Sequence, residues 1–106
     1  MIWDINGPNG KKLLDEANES WGMKQVMKNF PGCQYTFGKG FNLTHKKKPY
    51  YYEYNFDVKV EISCGNERGT MSCNFIIKEG FEFENHMETI WHPKCHNIPE
   101  IGPNKL

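Results

Sequence analysis

"FDVKVEISCGNERGTMSCNFIIKE", Phe56 to Glu79, alternates apolar and polar side chains on both sides of a glycine-bounded break. A period of two sends successive side chains to opposite faces of a strand. Phe56, Val58, Val60, Ile62 and Cys64 therefore share one face of a first strand, and Met71, Cys73, Phe75 and Ile77 share one face of a second. The polar residues between Gly65 and Gly69 supply the turn. The pattern predicts two half-buried antiparallel strands, each carrying a cysteine on its apolar side.

Upstream, the same even-numbered alternation runs back through Tyr54, Tyr52 and Tyr50, with Glu53, Asn55, Asp57, Lys59 and Glu61 opposite. Tyr50 and Tyr52 are expected in the core, leaving Tyr51 as the outward aromatic. Before the polar "HKKKP" turn, Cys33, Tyr35, Phe37, Phe41 and Leu43 share odd positions and predict another strand, with a bulge at Gly38-Lys39-Gly40. A fourth, less regular strand is expected from about Phe81 or Met87 toward Trp91 and Cys95.

Ahead of the strands, Leu13, Leu14, Ala17 and Trp21 recur at helical spacing behind Asn9, a capping residue that comes after Gly7-Pro8. Met23, Val26, Met27 and Phe30 repeat that spacing in a shifted phase. The pattern predicts one helix from about Asn9 to about Lys28, kinked or ended at Gly22 and stopped by Phe30-Pro31-Gly32. The fold class is α+β: one N-terminal helix on a four- to five-stranded antiparallel meander with two disulfides. It forms a single domain over 1–106, with its core over about 9–95 and an irregular tail over 96–106.

In a chain of 106 residues, 13 basic and 13 acidic side chains cancel, so bulk charge directs it toward neither nucleic acid nor an anionic membrane. No apolar run reaches membrane-spanning length. Four cysteines without a Cys-x-x-Cys pair favour two disulfides over a zinc ribbon, and hence secretion. Asn18-Glu19-Ser20 and Asn42-Leu43-Thr44 are glycosylation sequons compatible with that compartment.

Register arithmetic proposes the pairing. In a hairpin closed at "HKKKP", odd inward positions on the first strand must face even ones on the second. Cys33 opposite Cys64 satisfies this and puts Lys46 opposite Tyr51, with the turn at Lys47 to Tyr50. Cys73 opposite Cys95 gives a midpoint at Glu84, where the periodicity breaks. Parity also permits Cys64 with Cys73, but the nested choice braces successive hairpins without crossing.

Chemistry is the weaker use of these residues. His86, His92, Cys95 and His96 lie close together in "HMETIWHPKCH", yet the spacing fits no standard zinc finger, and Pro93 breaks any helix that would align His92 with His96. A small hydrolase using Cys95 or Cys73 with a nearby histidine would need a free, partly exposed thiol. No metal or other cofactor is expected. The recognition surface is expected at the hairpin tip, His45 to Tyr51. There Lys46, Lys47 and Lys48 would steer an acidic partner, while Tyr51, Phe81 or Phe83 would supply contact area.

One helix leading into an antiparallel meander, with the last two cysteines bracing the final hairpin, resembles the cystatin superfamily over about Asn9 to Cys95. "YNFDVKVEISC" is similar to the strand that ends at the first cysteine of cathelin-like domains, and "SCNFIIKE" to the strand that opens the last disulfide of secreted cystatins. The resemblance implies a secreted, non-enzymatic protein that binds an extracellular protein, with a protease among the candidates. Inhibitory cystatins use an N-terminal glycine, a Gln-x-Val-x-Gly first hairpin and a Pro-Trp second hairpin as a wedge. Here "HKKKP" and "EGFEFEN" stand at those hairpins, "QYTFG" falls at the opposite end of its strand, and only Gly7 or Gly10 offers an N-terminal match. The resemblance therefore implies weak or absent inhibition of papain-like proteases, with an atypical inhibitor as the alternative.

Overall fold

A computed structural model describes residues 4–80, 87–89 and 93–97. Two helices, α1 (Pro8–Glu19) and α2 (Trp21–Met27), precede five strands: β1 (Gln34–Lys47), β2 (Tyr51–Cys64), β3 (Glu67–Gly80), β4 (Met87–Thr89) and β5 (Lys94–Asn97). β1, β2 and β3 form an antiparallel meander, and β4 and β5 both pair with β3 along its far edge. The expected fourth strand is thus split in two. The α+β class stands, with helix and sheet accompanied by two disulfides.

The N-terminal region departs from the single helix expected. α1 begins at Pro8 behind Gly7, so Asn9 lies inside the helix and does not cap it. Proline suits this first position because its missing N–H would have had no partner there, and its φ is already helical. The break falls at Ser20, not Gly22. Ser20 is extended, its hydroxyl donates to the Ala17 carbonyl at 2.8 Å, and its Oγ accepts from the Met23 amide at 3.2 Å. That one side chain closes α1 and caps α2, and the break brings the phase-shifted Met23 back onto the core beside Leu13 and Ala17.

β2 and β3 obey the alternation. Tyr54, Phe56, Val58, Val60 and Ile62 are buried on the inner face, with Met71, Cys73, Phe75 and Ile77 beside them. Phe56 and Phe75 are directly paired and stack at 5.8 Å. The connecting loop is Gly65-Asn66, with positive φ at Gly65 alone. This is the type II′ pattern, whose twist matches the flanking strands and which favours glycine first.

β1 keeps the expected register only at its start. Tyr35 faces Ile62 and Phe37 faces Val60, but Gly40 faces Val58 and Thr44 faces Asn55, so two bulges each insert one residue. The first sits at Gly38-Lys39, within the glycine-bounded segment expected to bulge. The second holds Asn42 at φ 57. Each bulge flips the inward parity of the strand beyond it, so Gly40 is buried while Phe41, expected inward, turns out to be 40% exposed. Leu43, within the second bulge, is partly buried against the core.

The chain ahead of α1 fastens to β1. Ile5 is buried, and the Asn6 side chain grips Gly40 twice: its Nδ2 donates to the Gly40 carbonyl at 2.8 Å, and its Oδ1 accepts from the Gly40 amide at 2.9 Å. An amide side chain there takes the place of a strand neighbour on the outer edge of the sheet.

Candidate functional site

The two bulges decide what stands at the hairpin tip. Because β1 is two residues longer than the simple register allows, Lys46 faces Glu53 and Lys47 faces Tyr52, while the Lys48 amide donates to the Tyr51 carbonyl at 2.8 Å. The loop is therefore Pro49-Tyr50. Tyr50, expected in the core, is instead 74% exposed at the apex. The aromatic alternation of β2 continues through Tyr50, but the ladder that would turn this side chain inward ends at Tyr51.

The expected lysine cluster is distributed rather than gathered. Lys46 lies on the outer face in a row with Glu53 and Lys78, one on each of β1, β2 and β3, so opposite charges alternate across it. Lys47 takes the inner face beside Tyr52, and Lys48 is half-buried just beyond the last pair. Tyr51 faces outward, with the Lys78 ammonium 5.3 Å from its ring centre, a cation–π distance.

Beneath the apex, on the inner face, His45 stacks on Tyr54 at 5.1 Å and lies 4.8 Å from Tyr52. The Tyr54 hydroxyl donates to Glu79 Oε1 at 3.0 Å, and Lys12 of α1 stands 3.7 Å from Glu79 Oε2. Burial, and then the bond to the Glu79 carboxylate, push the Tyr54 phenol well above its ordinary range. This set links α1 with β1, β2 and β3 on the inner face directly below the tip.

Tyr51 pairs with Gly80 and Glu79 with Met87, so both ends of the 81–86 connection meet the sheet at the same end as the Pro49-Tyr50 loop. Phe81 and Phe83, the other expected contact residues, lie outside the described residues, as do His86 and His92.

All four cysteines are in disulfides, Cys33–Cys64 and Cys73–Cys95, as the nested reading expected. Cys73 faces Cys95 directly across β3 and β5. Neither can supply the thiolate that the hydrolase or zinc readings required. Among the described residues, no three His, Cys, Asp or Glu side chains converge as a metal site. Of the two N-terminal glycines, Gly7 stands at the cap of α1 and Gly10 is buried within it.

The two sequons differ in setting. Asn18 is exposed on α1, but its Ser20 is the buried double cap. Asn42 is exposed in the second bulge of β1, and its Thr44 is also exposed.

No protein-family model, curated protein or solved structure matches this chain.

Proposed function

We propose that the chain is a secreted cystatin-like protein that binds another extracellular protein through its Pro49-Tyr50 apex and performs no catalysis of its own. The observation that carries this reading is Tyr50, largely exposed at the end of a long, paired hairpin. A tyrosine in that position offers a large amphipathic surface with little side-chain entropy to lose, and tyrosines are enriched among residues that dominate binding energy. A loop already fixed by its strands adds little ordering cost on association. Lys47 and Lys48 beside it would steer an acidic partner.

Two disulfides support an oxidising compartment. No helix among the described residues is long and apolar enough to cross a membrane. The cystatin-like part of the reading draws on helices lying against one face of an antiparallel meander, with the Pro49-Tyr50 loop, Gly80 and Met87 at one end. The chain lacks the Gln-x-Val-x-Gly and Pro-Trp hairpins, so inhibition of papain-like proteases is expected to be weak or absent. The alternative of an atypical cysteine-protease inhibitor gains from one finding: the apex carries Pro49-Tyr50, not lysines, and so avoids desolvating ammonium groups in a cleft.

The test compares partner capture from an extracellular fluid by the parent chain and by Tyr50→Ala, and then measures binding kinetics. Tyr50→Ala should weaken binding at least about tenfold, mostly through faster dissociation. Lys47→Ala with Lys48→Ala should slow association mainly at low salt. Unchanged kinetics in both would move the functional surface elsewhere. Titration against papain separates the alternatives, since nanomolar inhibition would favour the inhibitor.

A further inference from the structure

Phe41 is an apolar side chain left on the outer, polar face of the sheet, and the residue after it is the acceptor of a sequon. Phe41 pairs with Asp57, whose side chain faces outward between the buried Phe56 and Val58. Asn42 Nδ2 donates to Asp57 Oδ2 at 3.1 Å. Asn42, bonded to Asp57, and Phe41, paired with Asp57 and exposed, therefore lie on one face. Asn42 has the left-handed conformation of a bulge, which keeps its amide beside the outer face of β1.

We infer that Asn42 carries an N-linked glycan whose first sugar lies over Phe41 and covers the apolar part of the outer face. Transfer from a lipid-pyrophosphate-linked oligosaccharide forms a bond between the sugar C1 and Nδ2. It breaks the C1–O bond to the pyrophosphate, which leaves with the electron pair, and Nδ2 releases one proton. The second Nδ2 proton remains to donate to Asp57, so the modified side chain keeps its position. The apolar C–H face of the sugar suits an aromatic ring, while its hydroxyls stay in water. A glycan there sits on the outer face of β1, apart from the Pro49-Tyr50 apex, and leaves that loop open.

The inference rests on the secretory part of the proposed function and not on the partner. The full chain is expressed through a eukaryotic secretory pathway as parent, Asn18→Gln, Thr44→Ser and Thr44→Ala. Peptide mapping with and without peptide N-glycosidase then reads the occupancy of Asn42. Parent, Asn18→Gln and Thr44→Ser should carry a glycan at Asn42 that the enzyme removes, and Thr44→Ala should not. A secreted, disulfide-bonded parent with Asn42 unmodified would overturn the site and leave the binding reading intact. For the cover, Phe41→Ser should shorten retention on a hydrophobic-interaction column in the deglycosylated chain and change it little in the glycosylated one. Equal shifts in both forms would overturn the contact between sugar and ring.

Discussion

At Gly10 two effects of opposite sign meet. Helix propensity favours alanine there by about 1 kcal/mol. A Cβ at Gly10, however, would overlap the Ile5 carbonyl oxygen, and that atom belongs to backbone that cannot rotate away. Gly10→Ala must therefore displace the turn that buries Ile5 and holds Asn6 on Gly40, and overpacking of this kind costs about 1 to 3 kcal/mol. Urea denaturation should show a net loss of stability, and a more stable variant would mean the turn yields easily. Tyr54 gives a second expectation. Its phenol is raised in the folded state from an ordinary value of 10.0, first by burial and then by Glu79. Above about pH 10 the unfolded chain loses this proton while the folded chain keeps it, so the contribution is intact at neutral pH and falls as pH rises beyond that point. Denaturation midpoints should be insensitive to Tyr54 between pH 8 and pH 10 and decline from pH 10 to pH 11, and Tyr54→Phe should flatten that decline. Residue types alone do not reveal either effect. Asn9 is the better cap by type, yet the helix starts earlier, behind Gly7, with Pro8, whose φ is already helical, as its first residue.

At the level of elements, β2 and β3 are legible in the sequence because their alternation is unbroken and their loop has two residues. β1 is only half legible. Its glycines announce the first bulge, but the second depends on Asn42 taking a left-handed backbone, which nothing in "FNLTH" requires. The two insertions together move the turn and bring Tyr50 to the apex, so the strand is readable and its consequence for the site is not. The same backbone can be tested directly. Asn42→Gly and Asn42→Val both lose the bond to Asp57, so their difference isolates the conformation. Glycine accepts positive φ freely, whereas a β-branched residue is strained there by about 1 to 2 kcal/mol. Asn42→Val should unfold at lower urea than Asn42→Gly by that amount, and equal midpoints would show that the bulge relaxes. The helix break is a further case of partial legibility. The phase shift between Ala17 and Met23 demands an interruption, which glycine flexibility would place at Gly22. The capping hydroxyl of Ser20 instead satisfies both helix ends, and so sets the break two residues earlier.

For the whole molecule, disulfide connectivity is legible because parity on a sheet narrows the pairings and nesting along successive hairpins chooses between those that parity permits, and Cys33–Cys64 lies before the first bulge where the simple register still holds. The bridges differ in what they secure. Their sequence separations, 31 and 22 residues, enter a chain-entropy argument only as logarithms, so both should contribute about 3 to 4 kcal/mol through the unfolded state. Cys33–Cys64 joins the base of a hairpin whose two strands pair along nearly their whole length. Cys73–Cys95 instead holds the four-residue β5, which among the described residues has only β3 beside it in the sheet. Replacing Cys73 and Cys95 together by alanine should therefore free β5 in a local step before the rest unfolds. Native-state hydrogen exchange should show protection at 94–97 falling at least about tenfold further than at the centre of β2. Replacing Cys33 and Cys64 should lower protection across β1, β2 and β3 together. A uniform loss in both double variants would mean that β5 is part of the same cooperative unit as the long strands, held there by contacts other than its disulfide.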